Sequence, residues 1–526
     1  MQLRVLDLVV IVLYLALTLA VGVYFARRQT SKESYFVSNR QIPWYLVGIS
    51  VFATLLSTMT YLSIPGEMIR YGVGYFFAYL GFIAAVPLVN RLIIPYLMRL
   101  PVTSVYEYLE KRYSIETRTL AAVVFVGTRI IWIGLVTYTA AFAISAITGW
   151  TIPAVALVIA AVAIFFATAG GITAVIWMSV VKFVILFGGA ILVPVYIMIL
   201  TGSGPGDWWV SFAQAGRAAV PVFSLDATVR ITIIGMVILQ VTWNLCTHGA
   251  DQVAAQRYLT TDSVASAARS VWLFALANIG LIGLLAVCGL ALFFYNFSIS
   301  GLPLTQFQAN VAPVADDLLP RFIATRLPVG IAGLLLAALI SAAMTSFGSG
   351  VNSISTVVVT DFVDRFRRGE TRRDSLLLAR ALTVSAGFLG FLAAVTVDYL
   401  MRASNWNLVE LIERANHLFV APLAGLFFAG LFFRRTGPRS AIAGFLAGSL
   451  TSLLVSFSGE IFGTSVSFMW IMPASLVVSM LVSYGAGFFL DTPTAAQLSG
   501  LSLTRRPGTP VIQRESNHVF NTDSRR

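Results

Sequence analysis

Uninterrupted apolar runs of about 20 residues recur along nearly the whole chain. The backbone of such a run can leave water only if every N–H and C=O is paired inside the run, which means a helix crossing a lipid bilayer. The sequence predicts about thirteen of them, beginning near Leu6, Trp44, Val73, Thr119, Ile152, Thr173, Val229, Ser270, Pro328, Leu376, Leu408, Ser440 and Ser465. The runs are continuously apolar and much longer than the ~10 alternating residues of a barrel strand, so strands are not expected. Composition agrees: 58% of residues are hydrophobic and only 11% are charged, where a soluble domain carries about 25%. A soluble enzyme, a nucleic-acid-binding domain and a disordered chain are thereby excluded. The expected class is an all-α integral membrane protein, multi-pass in the plasma or inner membrane. The first run lacks a small-residue cleavage pattern and reads as a retained helix. Cys246 and Cys288 both lie in apolar runs, so no disulfide framework is indicated.

The formal charge of +12 matters through its placement. With the N-terminus outside, the cytoplasmic loops and tail hold twenty-four Lys and Arg, including Arg27, Arg28, Arg112, Arg118, Arg365, Arg367, Arg368, Arg434 and Arg435. The opposite side holds eight, from Arg4 to Arg414. That bias predicts an outside N-terminus and a cytoplasmic C-terminus, and gives the positive charge a topogenic role rather than one in nucleic-acid binding. Residues 1–490 read as one transmembrane domain, and 491–526 as a polar, Pro-, Ser- and Arg-containing cytoplasmic tail expected to be disordered. No P-loop or dinucleotide fingerprint occurs and no organic cofactor is implied, so any work must be passive or gradient-driven.

Two predicted helices are interrupted by polar residues. The second carries Thr54, Ser57, Thr58, Thr60 and Ser63 ahead of Pro65-Gly66, and the seventh ends in Trp243-Asn-Leu-Cys-Thr-His-Gly-Ala-Asp-Gln252. Unwound backbone at membrane depth is tolerated only where protein or a wet cavity satisfies it, and carriers use such breaks to present carbonyls to ions. Each break heads a set of five helices, so the sets have opposite topology and form an expected inverted repeat over about 44–434. Hydroxyls bonding back to their own helix would also account for either break alone. In the ninth helix Ser341, Thr345, Ser349 and Asn352 recur at helical spacing as one polar stripe. Hydroxyls and carbonyls are hard ligands suited to alkali cations, while the neighbouring Ala342, Ala343, Gly348 and Gly350 equally suit close helix packing.

Several segments together resemble the sodium/solute symporter family: Ser57–Gly72, Thr103–Tyr113, Gly170–Trp177, Gln256–Leu259 and Phe419–Gly448. The wording around Ser63–Gly72 is closer to the iodide and monocarboxylate branch, and the chain as a whole to those and the sialic acid branch, than to the sugar branch. The resemblance implies a leucine-transporter-type fold working by alternating access, with sodium as coupling ion. Carried over by motif, the implied sodium ligands are the carbonyls of Ala53, Leu56 and Ala342 with the hydroxyls of Thr345 and Ser346, expected to converge on one point. Two departures stand out. Many members have an Asp where this chain has Ser179, and a Gln one turn further on, where this chain has Lys182. The lost carboxylate and added ammonium imply at most one sodium per cycle, or none if the ammonium takes the site. Snorkelling, or pairing with a carboxylate, would explain Lys182 without either.

The positions that hold sugar hydroxyls in the sugar branch fall on Thr60, Tyr79 and Arg414, a poor sugar site. Arg129 lies mid-span in the fourth helix and Arg414 in the outer part of the eleventh. Guanidinium groups suit carboxylates, so the expectation is sodium-coupled symport of a small organic anion, with Arg129 or Arg414 facing a cavity near Thr60 and Tyr79. Internal pairing of Arg129 with Asp251 and of Arg414 with Glu410 is the alternative, and His248 and His417 read as packing or capping residues. A proton-coupled or uncoupled carrier, or a sensor on the same fold, are competing functions. An intramembrane enzyme is not expected, for no catalytic carboxylate pair, His-metal cluster or Ser/His/Asp set lies in the apolar segments.

Overall fold

The computed structural model describes residues 4–26, 42–55, 58–99, 104–363, 372–403, 408–498 and 501–502. Among them there is no strand. The principal helices are α1 (Val5–Ala26), α2 (Trp44–Leu55), α3 (Thr58–Tyr71), α4 (Ala78–Leu88), α5 (Glu107–Arg112), α6 (Ile115–Thr148), α7 (Ile152–Thr201), α8 (Ile233–Ala250) and α9 (Gln252–Tyr258). They continue as α10 (Val264–Ser300), α11 (Ala315–Arg326), α12 (Ile331–Val357), α13 (Arg372–Ala403), α14 (Leu408–Phe432), α15 (Pro438–Ser456), α16 (Ile471–Ala486) and α17 (Ala495–Leu498). Nine helices are long and apolar enough to cross a bilayer among the described residues, and the α2–α3 pair, bent by 62°, makes a tenth. Shorter apolar helices stand at Val5–Thr18, Ile152–Thr168 and His417–Phe432, where further spans were expected.

The helices start and stop where local chemistry satisfies their terminal groups. Ser114, Thr232 and Ser263 accept hydrogen bonds from the first turns of α6, α8 and α10. Gly149 (φ 75°) and Gly202 (φ 68°) close α6 and α7 in the left-handed conformation that glycine adopts without a Cβ penalty. Three features differ from the sequence reading. The spans expected from Ile152 and Thr173 lie in one helical run, α7, because Gly170-Gly171 stays helical instead of ending it. The segment before α12 folds into short helices, Leu304–Val311 and α11, whose polar residues give no span signal. The first residues of the expected disordered tail form α17 and dock: Gln497 bonds the Tyr113 carbonyl, and the Ser502 hydroxyl donates to Leu431 O at 3.1 Å. The rest of the tail lies outside the described residues.

α12 is the central pillar, with every residue from Leu335 to Val357 buried. It packs against α1, α2, α6, α7 and α13. Inside a bilayer there is little hydrophobic drive between helices, so close approach of small residues and polar contacts must hold them together. Gly350 shows the fit: a Cβ there would stand 2.6 Å from Ile133 Cγ1 on α6. At its N-terminus α12 is capped by another helix. Asp7 of α1, 2% exposed, accepts from Gly330 N at 2.7 Å and Gly333 N at 2.8 Å with one carboxylate oxygen. This satisfies otherwise orphaned donors and sets a negative charge at the positive end of the helix. Replacement Asp7→Ala is expected to cost about 0.5–2 kcal/mol, and Asp7→Asn, which keeps an acceptor, clearly less; thermal unfolding of the detergent-solubilised protein reads the difference.

Candidate functional site: a polar cavity and a cation crossing

The two breaks predicted from sequence differ in how their backbone is satisfied. At the second, a single extended residue, Asp251 (φ −89°, ψ 119°), separates α8 from α9. Its Oδ1 caps α9 by accepting from Val253 N at 2.8 Å, and its Oδ2 accepts from Nη2 of Arg129 on α6. At the first, α2 (Trp44–Leu55) and α3 (Thr58–Tyr71) meet at a bend of 62°. Leu56, an expected sodium ligand, and Ser57 lie outside the described residues. The Ser346 hydroxyl on α12 donates to Thr54 O at 3.2 Å, the Thr58 hydroxyl donates to Leu339 O at 3.0 Å, and Thr54 and Ser349 hydroxyls meet at 3.3 Å.

The remaining acceptor at this crossing is held by Lys182. The side chain is 0% exposed, and its Nζ donates to the Ala53 carbonyl and to Thr345 Oγ1, the latter at 2.8 Å. Thr345 in turn donates to Ser341 O at 2.9 Å and approaches Ala342 O at 3.2 Å. Lys182 Nζ therefore contacts two of the residues expected from sequence as sodium ligands, Ala53 and Thr345, while Ser346 is turned to Thr54. Ser179, one turn before Lys182, donates to Val175 O at 2.8 Å on its own helix. No carboxylate forms an ion pair with Lys182 among the described residues. Snorkelling is ruled out by burial.

Beside the crossing lies a cavity of about 170 Å³. Thr60 and Ser63 from α3, Thr128, Arg129 and Trp132 from α6, Gln240, Trp243, Thr247 and the break residue Asp251 line it, with Asn278 from α10 and His417 from α14. Arg129 is buried, stands 4.7 Å over the Trp132 ring, and leaves its Nε without a hydrogen-bond partner. Two residues expected at this cavity are placed elsewhere. Tyr79 packs against Phe76 with ring centres 4.8 Å apart and the rings tilted by 44°, and does not line it; Tyr75, one turn earlier, does. Arg414 pairs with Glu460 at 2.6 Å in a separate surface recess, holding that carboxyl below its usual range, and α14 presents His417 to the cavity instead. The shift is geometric: three residues along a helix turn a side chain by nearly a full revolution but move it about 4.5 Å along the axis. The internal pairing of Arg129 with Asp251, weighed as an alternative, is present. Gln240, Trp243 and Thr247 were not singled out as ligand contacts, although their i, i+3, i+7 spacing marks one face of α8. His248 accepts or donates to Tyr258 OH at 2.7 Å and packs edge-on to Phe274, consistent with a structural role.

Buried ion pairs stand toward opposite ends of the core. At the α12 N-terminal end, Arg230 holds both oxygens of Glu67 at 3.0 and 3.1 Å and lies 3.8 Å over Tyr71, while Arg70 pairs with Asp316 at 3.1 Å. Burial pushes the Asp316 carboxyl up despite that partner. At the other end Asp361 accepts from Ser104 and Arg118, both at 2.6 Å, and Arg118 also reaches Glu110 at 2.6 Å.

A polar cavity beside two interrupted helices, with buried ion pairs toward either end of the core, is the architecture of a membrane carrier. The profile of the sodium:solute symporter family matches residues 35–448, and the chain belongs to that family of multi-pass cell-membrane transporters. It is 30% identical to the sodium/sialic acid symporter NanT of Aliivibrio fischeri, over 97% of this chain and 98% of the relative. It is 29% identical to the sodium/sialic acid symporter SiaT of Proteus mirabilis, over 85% and 89%. A solved Na+-coupled sialic acid symporter, substrate-bound and outward-open, superposes with a TM-score of 0.80 at 27% identity, covering 93% of this chain and 99% of that one.

Breaking the Arg129–Asp251 pair leaves a charge uncompensated in a largely buried site. Arg129→Gln is expected to destabilise by about 3–5 kcal/mol, and Asp251→Asn, which retains the cap of α9, to recover part of that in the double variant; a double-mutant cycle on unfolding measures the coupling.

Proposed function

We propose that this chain carries a small organic anion across the cell membrane by alternating access, with the solute held in the cavity beside Arg129. The observation that carries the reading is the state of that guanidinium. One Nη2 contact to Asp251 fixes its position, while its Nε remains a buried donor without a partner in a side chain that lines the cavity. Buried donors are rarely left unsatisfied, and a carboxylate oxygen is the acceptor that matches a guanidinium edge most strongly. Around it Thr60, Ser63, Gln240, Thr247 and Asn278 offer hydroxyl and amide groups for the uncharged part of a polar solute, and Trp132 and Trp243 offer flat apolar faces. The sialic acid symporters among its relatives are named for a sugar acid, which makes N-acetylneuraminate the first solute to test. Asp251 offsets the charge of Arg129, so recognition rests on directed hydrogen bonds more than on net field.

The positive-charge bias supports an N-terminus outside, and the two breaks at Leu55–Thr58 and Asp251 support an inverted repeat beginning at α2 and α8. Solute movement then requires exchange of the Arg230–Glu67 and Arg118–Asp361 closures. The family's coupling ion is sodium, and the five-ligand set inherited by motif does not fit it as it stands, because Ala53 O and Thr345 Oγ1 already accept from Lys182.

Uptake into proteoliposomes with carboxylates and neutral sugars offered in parallel tests the reading. Carboxylates should compete and neutral sugars should not. Arg129→Lys keeps a cation for Asp251 but loses the second donor edge, so carboxylate uptake should fall about tenfold or more, the equivalent of one charge-assisted hydrogen bond. A preference for neutral sugars, unchanged by Arg129→Lys, would overturn it.

A further inference from the structure

We propose that the ammonium of Lys182 is the resident cation of the crossing between α2 and α12, so that this family member binds no sodium there. The inference rests on the solute-carrier reading and concerns what drives it. Three observations converge. The Nζ of Lys182 reaches both Ala53 O and Thr345 Oγ1, from opposite helices, from a third helix, α7. It does so fully buried and without a carboxylate partner among the described residues, so its charge is answered by carbonyl and hydroxyl dipoles, as an alkali cation's would be. Ser179, which the family resemblance marks as a common carboxylate position, contributes no charge toward the crossing, and its hydroxyl proton is donated back to Val175 O.

The surroundings disfavour a second cation. The charge facing the crossing from a neighbouring element is Arg257 of α9, whose Nη2 donates to Ser349 Oγ at 2.6 Å and whose Nε donates to Ser50 Oγ at 3.1 Å. Those serines stand one turn from Thr345 and Ala53 on the same two helices. A sodium ion placed among Ala53, Ala342 and Thr345 would meet the ammonium at contact distance and a guanidinium close behind, and in a buried site such repulsion is poorly screened. A sodium ion leaves with the solute, but a tethered ammonium cannot. The bridge it forms must open and re-form within the chain at each cycle, so no sodium gradient enters at this crossing. Solute flux through such a carrier follows the solute's own gradient or exchange unless an ion is bound elsewhere.

The test measures cation binding directly and needs no solute. Purified full-length protein is melted in sodium chloride against potassium chloride at matched ionic strength, a ligand of the native state being visible as a raised midpoint. The wild type should melt at the same temperature in both salts. Lys182→Ala and Lys182→Met remove the ammonium and leave the oxygens, so both should be less stable in potassium and gain several degrees in sodium. A sodium-specific rise in the wild type that Thr345→Ala abolishes would overturn the proposal; a rise that Thr345→Ala leaves intact places sodium elsewhere and upholds it for this crossing. The wild-type and Thr345→Ala arms remain decisive if the Lys182 variants fail to fold. Failure of the carrier reading is separately visible, as no uptake of any carboxylate in proteoliposomes while the salt-dependent melting stays readable.

Discussion

A helix interrupted in the middle of a bilayer exposes carbonyls that no lipid can satisfy, and the hydrogen bonds that answer them decide how the rest of this molecule is arranged. The last turn of α2 is the clearest case. Ala53 O is met by Lys182 from α7, Thr54 O by Ser346 from α12, and the Thr58 hydroxyl on the far side of the break returns to Leu339 O. Three helices are thereby fixed against one another around the break, and α12, which passes between them, is buried without interruption from Leu335 to Val357. Where polar partners are this few and the surrounding lipid offers none, each carries more consequence than it would in water.

The second break is solved by the opposite sign of charge. Asp251 supplies an N-cap for α9 and a partner for Arg129, so one carboxylate both ends the interruption and anchors a cationic side chain on the cavity wall. The two solutions differ in what they leave available. At the α2–α3 break the Ala53 carbonyl and the Thr345 hydroxyl accept from Lys182, whereas at Asp251 the pairing leaves the Arg129 Nε without a partner in a residue that lines the cavity.

Much of the architecture was legible because membrane helices announce themselves through continuous apolar length, a property of the chain alone. The expected starts fall at or near apolar helices, and the polar interruptions at Thr54–Ser63 and Trp243–Gln252 coincide with real breaks. The apolar segments expected from Ile152 and Thr173 fall at Ile152–Thr168 and Val175–Thr201, within one continuous helix, because a glycine pair weakens a helix without having to end it. The docking of Gln497 and Ser502 was not legible because it comes from distant partners, Tyr113 and Leu431, which no local composition reveals.

Sequence by itself determined the solvent, the helical class, the family and the short set of polar residues from which any site had to be built, because those depend on hydropathy, periodicity and motif. Only the tertiary structure decided which of these residues meet. It put Arg129 on Asp251, sent Arg414 to Glu460 and Tyr79 to Phe76, and turned His417 into the cavity in their place. It also brought Lys182 to Ala53 and Thr345, residues 129 and 163 positions away. The reason is physical: a side chain's chemistry is written in its own residue, but its partner is set by how helices from separate parts of the chain cross, and a rotation of one turn is enough to exchange one partner for another.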